Sequence, residues 1–244
     1  MHSFEMVLNV HLHQLEINTS WNELRIIKID NGQSIAAFYR KFIHSLDELN
    51  IPHLNYSKPF DLGIDKYFTE IEEIHHYDPE YVHRFWRILL WVDGVFKEFS
   101  GRFYGKTCPV HLYWHHMDLA VTRFSGKKAP PLEPSARVSD KDAYSHEVIS
   151  FGFWAGDDNV REPAFYAYAY PSPEGIADKD LLPEGAVWVD NNGSPMAFYP
   201  YHTLIKEKNP REKLLDFLES SYLAGATQAG WDIEELKVVD LNRL

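Results

Sequence analysis

Between Asp78 and Phe103 the chain carries a pattern that one long, broadly buried helix satisfies. Val82, Phe85, Leu89, Val92, Phe96, Phe99 and Phe103 recur at alternating spacings of three and four, the period of one helix face. Tyr81, Ile88 and Val95 widen that stripe. Asp78 stands at the N-cap, Pro79 at the first helical position, and Glu80 near the positive end of the helix dipole. A helix of this length with so wide an apolar side has to lie on another layer, and the rest of the chain supplies strand material for it.

Residues 102–131 read as strand, rich in aromatic and β-branched types, yet they contain His111, His115, His116, Asp118 and Arg123. Polar groups in a half-buried strand cost free energy unless they find partners, so this stretch is either a satisfied polar network or a site. Ahead of the long helix, Phe4 to Ile17 alternates with period two and predicts a strand. Asn18 to Ser20 predicts a turn, and Trp21 to Ile29 a second strand completing a hairpin. Ser34 caps a helix carrying Ile35, Phe38, Tyr39, Phe42, Leu46 and Leu49, which Asn50 and Pro52 end. Residues 53–77 have no period. After the central stretch, Lys127 to Lys141 holds Pro130, Pro131 and Pro134 and predicts a loop.

Further strands are predicted over Glu147 to Trp154, Ala164 to Tyr170, Ala186 to Val189 and Met196 to Ile205. Tyr166, Tyr168 and Tyr170 alternate with Phe165, Ala167 and Ala169, whose small members leave room for another element to lie close. A last long helix opens on Asn209, Pro210 and Glu212, carries Leu214, Leu215, Leu218, Tyr222 and Gly225 inward, and ends at Gly230. Asp232 and Glu235 open a short terminal helix.

The expected class is α+β: antiparallel β-sheet packed on about three helices, in a single domain over residues 1–244. The blocks starting at Ser3 and Ser145 are alike, and each runs on into strand, cap and amphipathic helix. That is consistent with an internal duplication of a strand-and-helix unit, with halves 1–52 and 109–231 joined by the 78–103 helix. It is equally consistent with chance likeness between amphipathic blocks.

Composition narrows the function classes. With 24 basic against 36 acidic residues the formal net charge is −12. Such a chain repels phosphate backbones, and no basic run offsets that, so nucleic acid is not expected as a partner. No apolar stretch approaches the ~20 residues needed to span a bilayer, so no membrane partner is expected either. The single cysteine, Cys108, excludes an internal disulfide and favours a reducing compartment. Together with an N-terminus lacking a basic region and apolar run, this predicts a soluble, cytoplasmic protein. Oligomeric state and cofactor leave no signal in the sequence.

Several runs together resemble a bacterial family, the domain of unknown function 5996. They are Phe38-Tyr39, Tyr77 to Pro79 with Arg84 to Arg87, Arg102 to Lys106 with Pro109 to His111, and Asp118 to Gly126. Further along come Ser145 to Ser150 with Gly152 to Trp154, Phe165 to Tyr168, and Ala229 to Trp231. They span most of the chain from residue 36 onward. The resemblance implies a shared fold and carries no activity with it. Members of that family have a Trp-rich strand region ahead of the position of Phe4, so the chain resembles an N-terminally short member with a sheet edge or cavity wall left open. His115 and His116 stand where the family more often has small residues, which sets them apart from any shared function.

The chemistry-bearing candidates are His111, Asp118 and His146 as an acid–base set. Tyr113, Trp114, Arg123, Glu147, Tyr166 and Tyr168 are candidates for contacting a ligand. A shared metal is not expected: His146 and Glu147 are adjacent and point to opposite faces of a strand, and no recognised metal-ligand spacing is present. Nucleophile elbows and phosphate loops are also lacking. The plain structural alternative is a histidine bonded to a backbone carbonyl and Arg123 paired with a carboxylate to hold strands together. The leading functional expectation is a protein that binds a small organic ligand in a pocket walled by tyrosine and tryptophan. A His/Asp-dependent hydrolase or isomerase and a protein-interaction module are the alternatives.

Overall fold

The structure, a computed structural model, describes residues 2–53, 58–60 and 62–239. Part of the irregular 53–77 stretch lies outside them. The chain divides into two compact units, Met1–Ile88 and Leu89–Leu244.

In the first unit, β1 (Phe4–Asn9), β2 (Gln14–Thr19) and β3 (Leu24–Lys28) form an antiparallel sheet in that order. The single strand expected over Phe4 to Ile17 is two strands and a turn. The cause is Asn9, whose Oδ1 accepts from the backbone N–H groups of His11 (3.1 Å) and Leu12 (3.0 Å). A side-chain acceptor two and three residues back folds the backbone into a turn that alternation alone does not betray. Helix α1 (Ile35–Glu48) follows, capped as expected by Ser34, whose Oγ accepts from Ala37 N. Its apolar face meets the sheet in a cluster of Ile17, Ile27, Leu46, Leu49 and Ile51.

Helix α2 (Pro79–Ser100) runs through the boundary between the units. Asp78 caps it by accepting from Glu80 N at 2.9 Å. The stripe is graded: Val92, Val95, Phe96 and Phe99 are buried, whereas Val82, Phe85, Ile88 and Leu89 are half-buried.

The second unit is built on a six-stranded antiparallel sheet of β4 (His111–Tyr113), β5 (Asp118–Lys128), β6 (His146–Trp154), β7 (Ala164–Tyr170), β8 (Val187–Asn191) and β9 (Ser194–Pro200), in the order β4-β5-β6-β7-β9-β8. Short helices α3 (Val138–Ala143), α4 (Tyr201–Leu204) and α6 (Ile233–Leu236) accompany the long α5 (Pro210–Gln228). Antiparallel sheets with helices bear out the α+β expectation.

Several boundaries differ from the sequence reading, and the loop expected over Lys127 to Lys141 gives way to α3 from Val138 on. The central stretch is a hairpin whose turn lies between β4 and β5, with Met117 at φ 57. Strand β5 runs on to Lys128 through a bulge that Gly126, at φ 87, makes easy, so the irregular loop starts later, at Ala129. Strand β9 stops at Pro200 and the chain turns into α4, because Pro200 supplies no N–H for a further ladder bond. Asn209 precedes α5 but caps it with no side-chain bond; its amide donates to Glu212 instead, at 3.1 Å.

The sheet's two faces are unlike. Leu119, Val121 and Arg123 of β5, Ile149, Phe151 and Phe153 of β6, and Phe165 and Ala167 of β7 share one face and are buried. Helix α5 packs here against β6 and β7. A Cβ on Gly225 would come within 2.9 Å of Ile149 Cδ1 and 3.6 Å of Ala169 Cβ, so small residues on helix and strand set the close approach. Phe99 of α2 packs edge-on against Phe151, ring centroids 4.7 Å apart. The opposite face carries His111, Tyr113, Asp118, Thr122, Ser150, Gly152, Trp154, Tyr166, Tyr168 and Phe198, as the register dictates.

Candidate functional site

On that second face the side chains of four strands meet. Gly152 on β6 faces Tyr166 on β7, and a Cβ on Gly152 would fall 2.1 Å from Tyr166 Cζ. The bare glycine therefore lets the tyrosine ring lie across β6. Its hydroxyl then reaches past that strand to β5 and donates to Asp118 Oδ2 at 2.5 Å. Tyr168 lies beside it, rings near parallel with centroids 6.2 Å apart. Its hydroxyl is 3.2 Å from that of Tyr144, which the segment after α3 brings over the sheet. Trp154 meets Tyr166 edge-on at 5.9 Å and Phe198 at 6.0 Å. Below them Thr122 and Ser150 share a buried hydroxyl–hydroxyl bond of 3.0 Å.

These groups wall a cavity of about 380 Å³ lined by His116, Asp118, Trp154, Gly156, Asp157, Tyr166, Tyr168, Asn191 and Met196. Its volume falls in the range of small-molecule sites. Burial pushes the Tyr166 phenol well above its ordinary pKa, and the neighbouring Asp118 charge and hydrogen bond push it the same way. Tyr168 is raised by burial and then by Tyr144, and Tyr113 by burial and then by Cys108 and Asp118. Both lining tyrosines are thus neutral donors at neutral pH. Asp157, at the exposed rim, accepts from the N–H groups of Asn159 and Val160, each at 2.8 Å. Those backbone bonds hold its carboxyl below the usual range.

Of the residues singled out from the sequence, Asp118, Tyr166 and Tyr168 come together here, with Tyr113 alongside, paired in register with Asp118. Trp114 sits in the β4–β5 turn, 67% exposed. The two histidines of the acid–base set do not share a cavity. His111 opposes Ala120, which opposes Gly152, and His146 stands six residues before Gly152 on β6, about 20 Å along an extended strand. His111 is exposed, with Nδ1 2.7 Å from the Pro109 carbonyl oxygen; His146 Nδ1 is 3.0 Å from Ser145 Oγ. That separation exceeds hydrogen-bond or one-water reach.

Arg123 and Glu147 point to the opposite face. Arg123 is 1% exposed. It donates to the Phe99 carbonyl oxygen at 2.5 Å, lies 3.7 Å from Glu219 of α5, and has its guanidinium carbon 3.5 Å from the Phe99 ring centroid and 4.4 Å from that of Tyr222. Burial lowers its pKa to about 10, against the raising influence of Glu219. The carboxylate partner expected to hold strands together is on a helix instead: the cation is clamped between β5 and the helices α2 and α5. Glu147 accepts from Ser125 Oγ at 2.7 Å and borders a smaller cavity of about 160 Å³ that Trp231 also lines.

Sequence reading missed Trp154, Asp157, Asn191 and Met196, and it set His116 aside. Trp154 was legible in principle, two residues from Gly152 on the same strand face. Asp157 and Asn191 lie in the intervals between the expected strands, and a connecting segment does not announce a cavity beside it. Among the described residues, no group of three His, Cys, Asp or Glu side chains is placed to hold a metal ion, and no helix is long and apolar enough to cross a membrane.

No curated protein and no solved structure matches the chain. A family model does match, over residues 1–238, and so takes in the β1–β3 sheet that the run-by-run likeness left out. By that match, which covers nearly the whole sequence, the chain belongs to the family of unknown function DUF5996.

Proposed function

We propose that the protein binds a small organic molecule in the aromatic-walled cavity over β5, β6 and β7. The observation that carries this reading is the cavity itself: about 380 Å³, walled by Trp154, Tyr166 and Tyr168, with the Tyr166–Asp118 pair at its side. The Tyr166 ring covers the bare backbone of the glycine opposite it. The same ring presents a flat apolar wall to anything that enters. Aromatic walls with few polar anchors are the ordinary make-up of a small-molecule site. No reaction is proposed, because the candidate acid–base histidines lie outside the cavity.

Saturation-transfer NMR with a mixed library of small fragments tests the reading. Fragments that bind wild type should lose at least tenfold in affinity with Tyr168→Ala and with Trp154→Ala, while the folded spectrum persists. Hits that bind those variants as well as wild type, or a library that yields no hit, would overturn it.

A further inference from the structure

The cavity's walls and charges specify more than size. Its aromatic faces come from Trp154, Tyr166 and Tyr168, and Asp118 and Asp157 both belong to its lining. Against those two acidic groups, among the described residues, the lining holds one residue that can turn cationic, His116, and neither arginine nor lysine. An aromatic face is negative at its centre, so rings arranged about a cavity attract a cation at close range. Carboxylates at the rim add a longer-ranged attraction, and the chain's formal net charge of −12 works in the same direction.

The two acidic groups are also differently held. Asp118 uses Oδ2 to accept from Tyr166, and among the described residues no hydrogen bond to its other oxygen is present. Asp157 spends Oδ1 on the backbone N–H groups of Asn159 and Val160, which fix the carboxylate in place and leave Oδ2 to a ligand. Each thus keeps an acceptor oxygen in reserve beside the rings. A buried anion, by contrast, would meet two carboxyl groups and no lysine or arginine to balance it.

We infer that the cavity takes an organic cation, a protonated amine or quaternary ammonium group seated against Trp154, Tyr166 and Tyr168 with Asp118 and Asp157 as counter-charges. This rests on the ligand-binding reading above and adds the charge of what is bound. Specificity of this kind is a difference between matched ligands, so the test compares three probes of nearly one shape. Choline carries a trimethylammonium group, 3,3-dimethyl-1-butanol the same shape without charge, and 3,3-dimethylbutanoate the tert-butyl group with a negative charge. Affinities for the full-length protein are measured by ligand-observed NMR at low ionic strength and repeated at high salt.

Choline should bind at least tenfold more tightly than the alcohol, with the butanoate weakest, and its advantage should shrink with salt. Asp157→Asn keeps the acceptor for the turn and removes the charge. It should lower choline affinity several-fold and leave the alcohol's unchanged, at an unchanged melting temperature. If the alcohol or the butanoate binds as tightly as choline, the cation assignment fails and the ligand-binding reading stands. If none of the three binds, the cation assignment fails too, and the fragment screen decides the broader reading separately. The wild-type comparison needs no variant to fold.

Discussion

At the scale of single residues, Gly152 and Arg123 show how one sheet serves two purposes. Gly152 is buried on the cavity face, and the Tyr166 ring occupies the space where its side chain would stand. Gly152→Ala forces that ring away and breaks the bond to Asp118. Overpacking of this kind costs about 1–3 kcal/mol, and a urea titration should show a loss in that range together with release of Tyr166 from its shielded state. A loss within error of zero would mean that the ring is free to move. Arg123 on the other face is a buried cation whose partners are one carbonyl, one carboxylate and three aromatic rings. Among the described residues its Nε has no hydrogen-bond partner. Arg123→Ala leaves Glu219 with Arg102 as its remaining basic partner and opens a void between β5 and α2; a loss of about 3–5 kcal/mol is expected. Arg123→Met, which refills the void without a charge, should recover part of that loss. Equal damage from the two substitutions would show that the charge, rather than the packing, dominates.

At the scale of elements, α2 is a single helix in sequence pattern and a graded one in burial. Phe96 and Phe99 are 0% exposed, whereas Phe85 is only half-buried. Phe99→Ala should therefore cost about 3–5 kcal/mol, and Phe85→Ala distinctly less, on the order of 1–2 kcal/mol, because less apolar surface returns to water. Chemical denaturation of the two variants side by side checks the order. Equal costs would show that the stripe is buried evenly along its length. The heptad-like spacing that announced the helix has no means of encoding this gradient, since it counts apolar positions and not what covers them.

For the whole molecule, the tyrosines set the expected response to alkali. Burial raises the phenol of Tyr166, with Asp118 adding to it, and burial raises that of Tyr168, with Tyr144 adding to it. In the unfolded chain both ionise near the ordinary tyrosine value of about 10. Above that pH the unfolded state holds fewer protons than the folded one, so stability that is fully present below about pH 10 is lost as pH rises. Arg123 works in the opposite sense: its folded value of about 10 lies below its ordinary 12.5, so over that interval the folded state releases the proton first. Tyr166→Phe removes one tyrosine contribution and should make the alkaline loss of stability shallower. In wild type the phenolate absorbance of Tyr166 and Tyr168 should appear only with unfolding, and a smooth titration of all 14 tyrosines near their ordinary pKa in the folded protein would contradict the burial assigned to them.

The sequence by itself determined the α+β class and three long helices with the caps of two of them, Ser34 and Asp78. It also determined most strands of the larger sheet and the alternation that puts Tyr166 and Tyr168 on one face. These are local properties: a cap is a bond between near neighbours, and a face follows from period two or 3.6. Only the tertiary structure decided which strands lie side by side and in what register. Register brought Asp118 of β5 under the hydroxyl of Tyr166 across Gly152 and set His111 and His146 about 20 Å apart; packing chose which face of β5 the helices cover, and Arg123, an odd five residues from Asp118, went to that face. A one-residue change in pairing turns every side chain of a strand to the other side. That choice is made by the packing of α2 and α5 against Phe151, Ile149 and Ala169, contacts between residues far apart in the chain that no local pattern records.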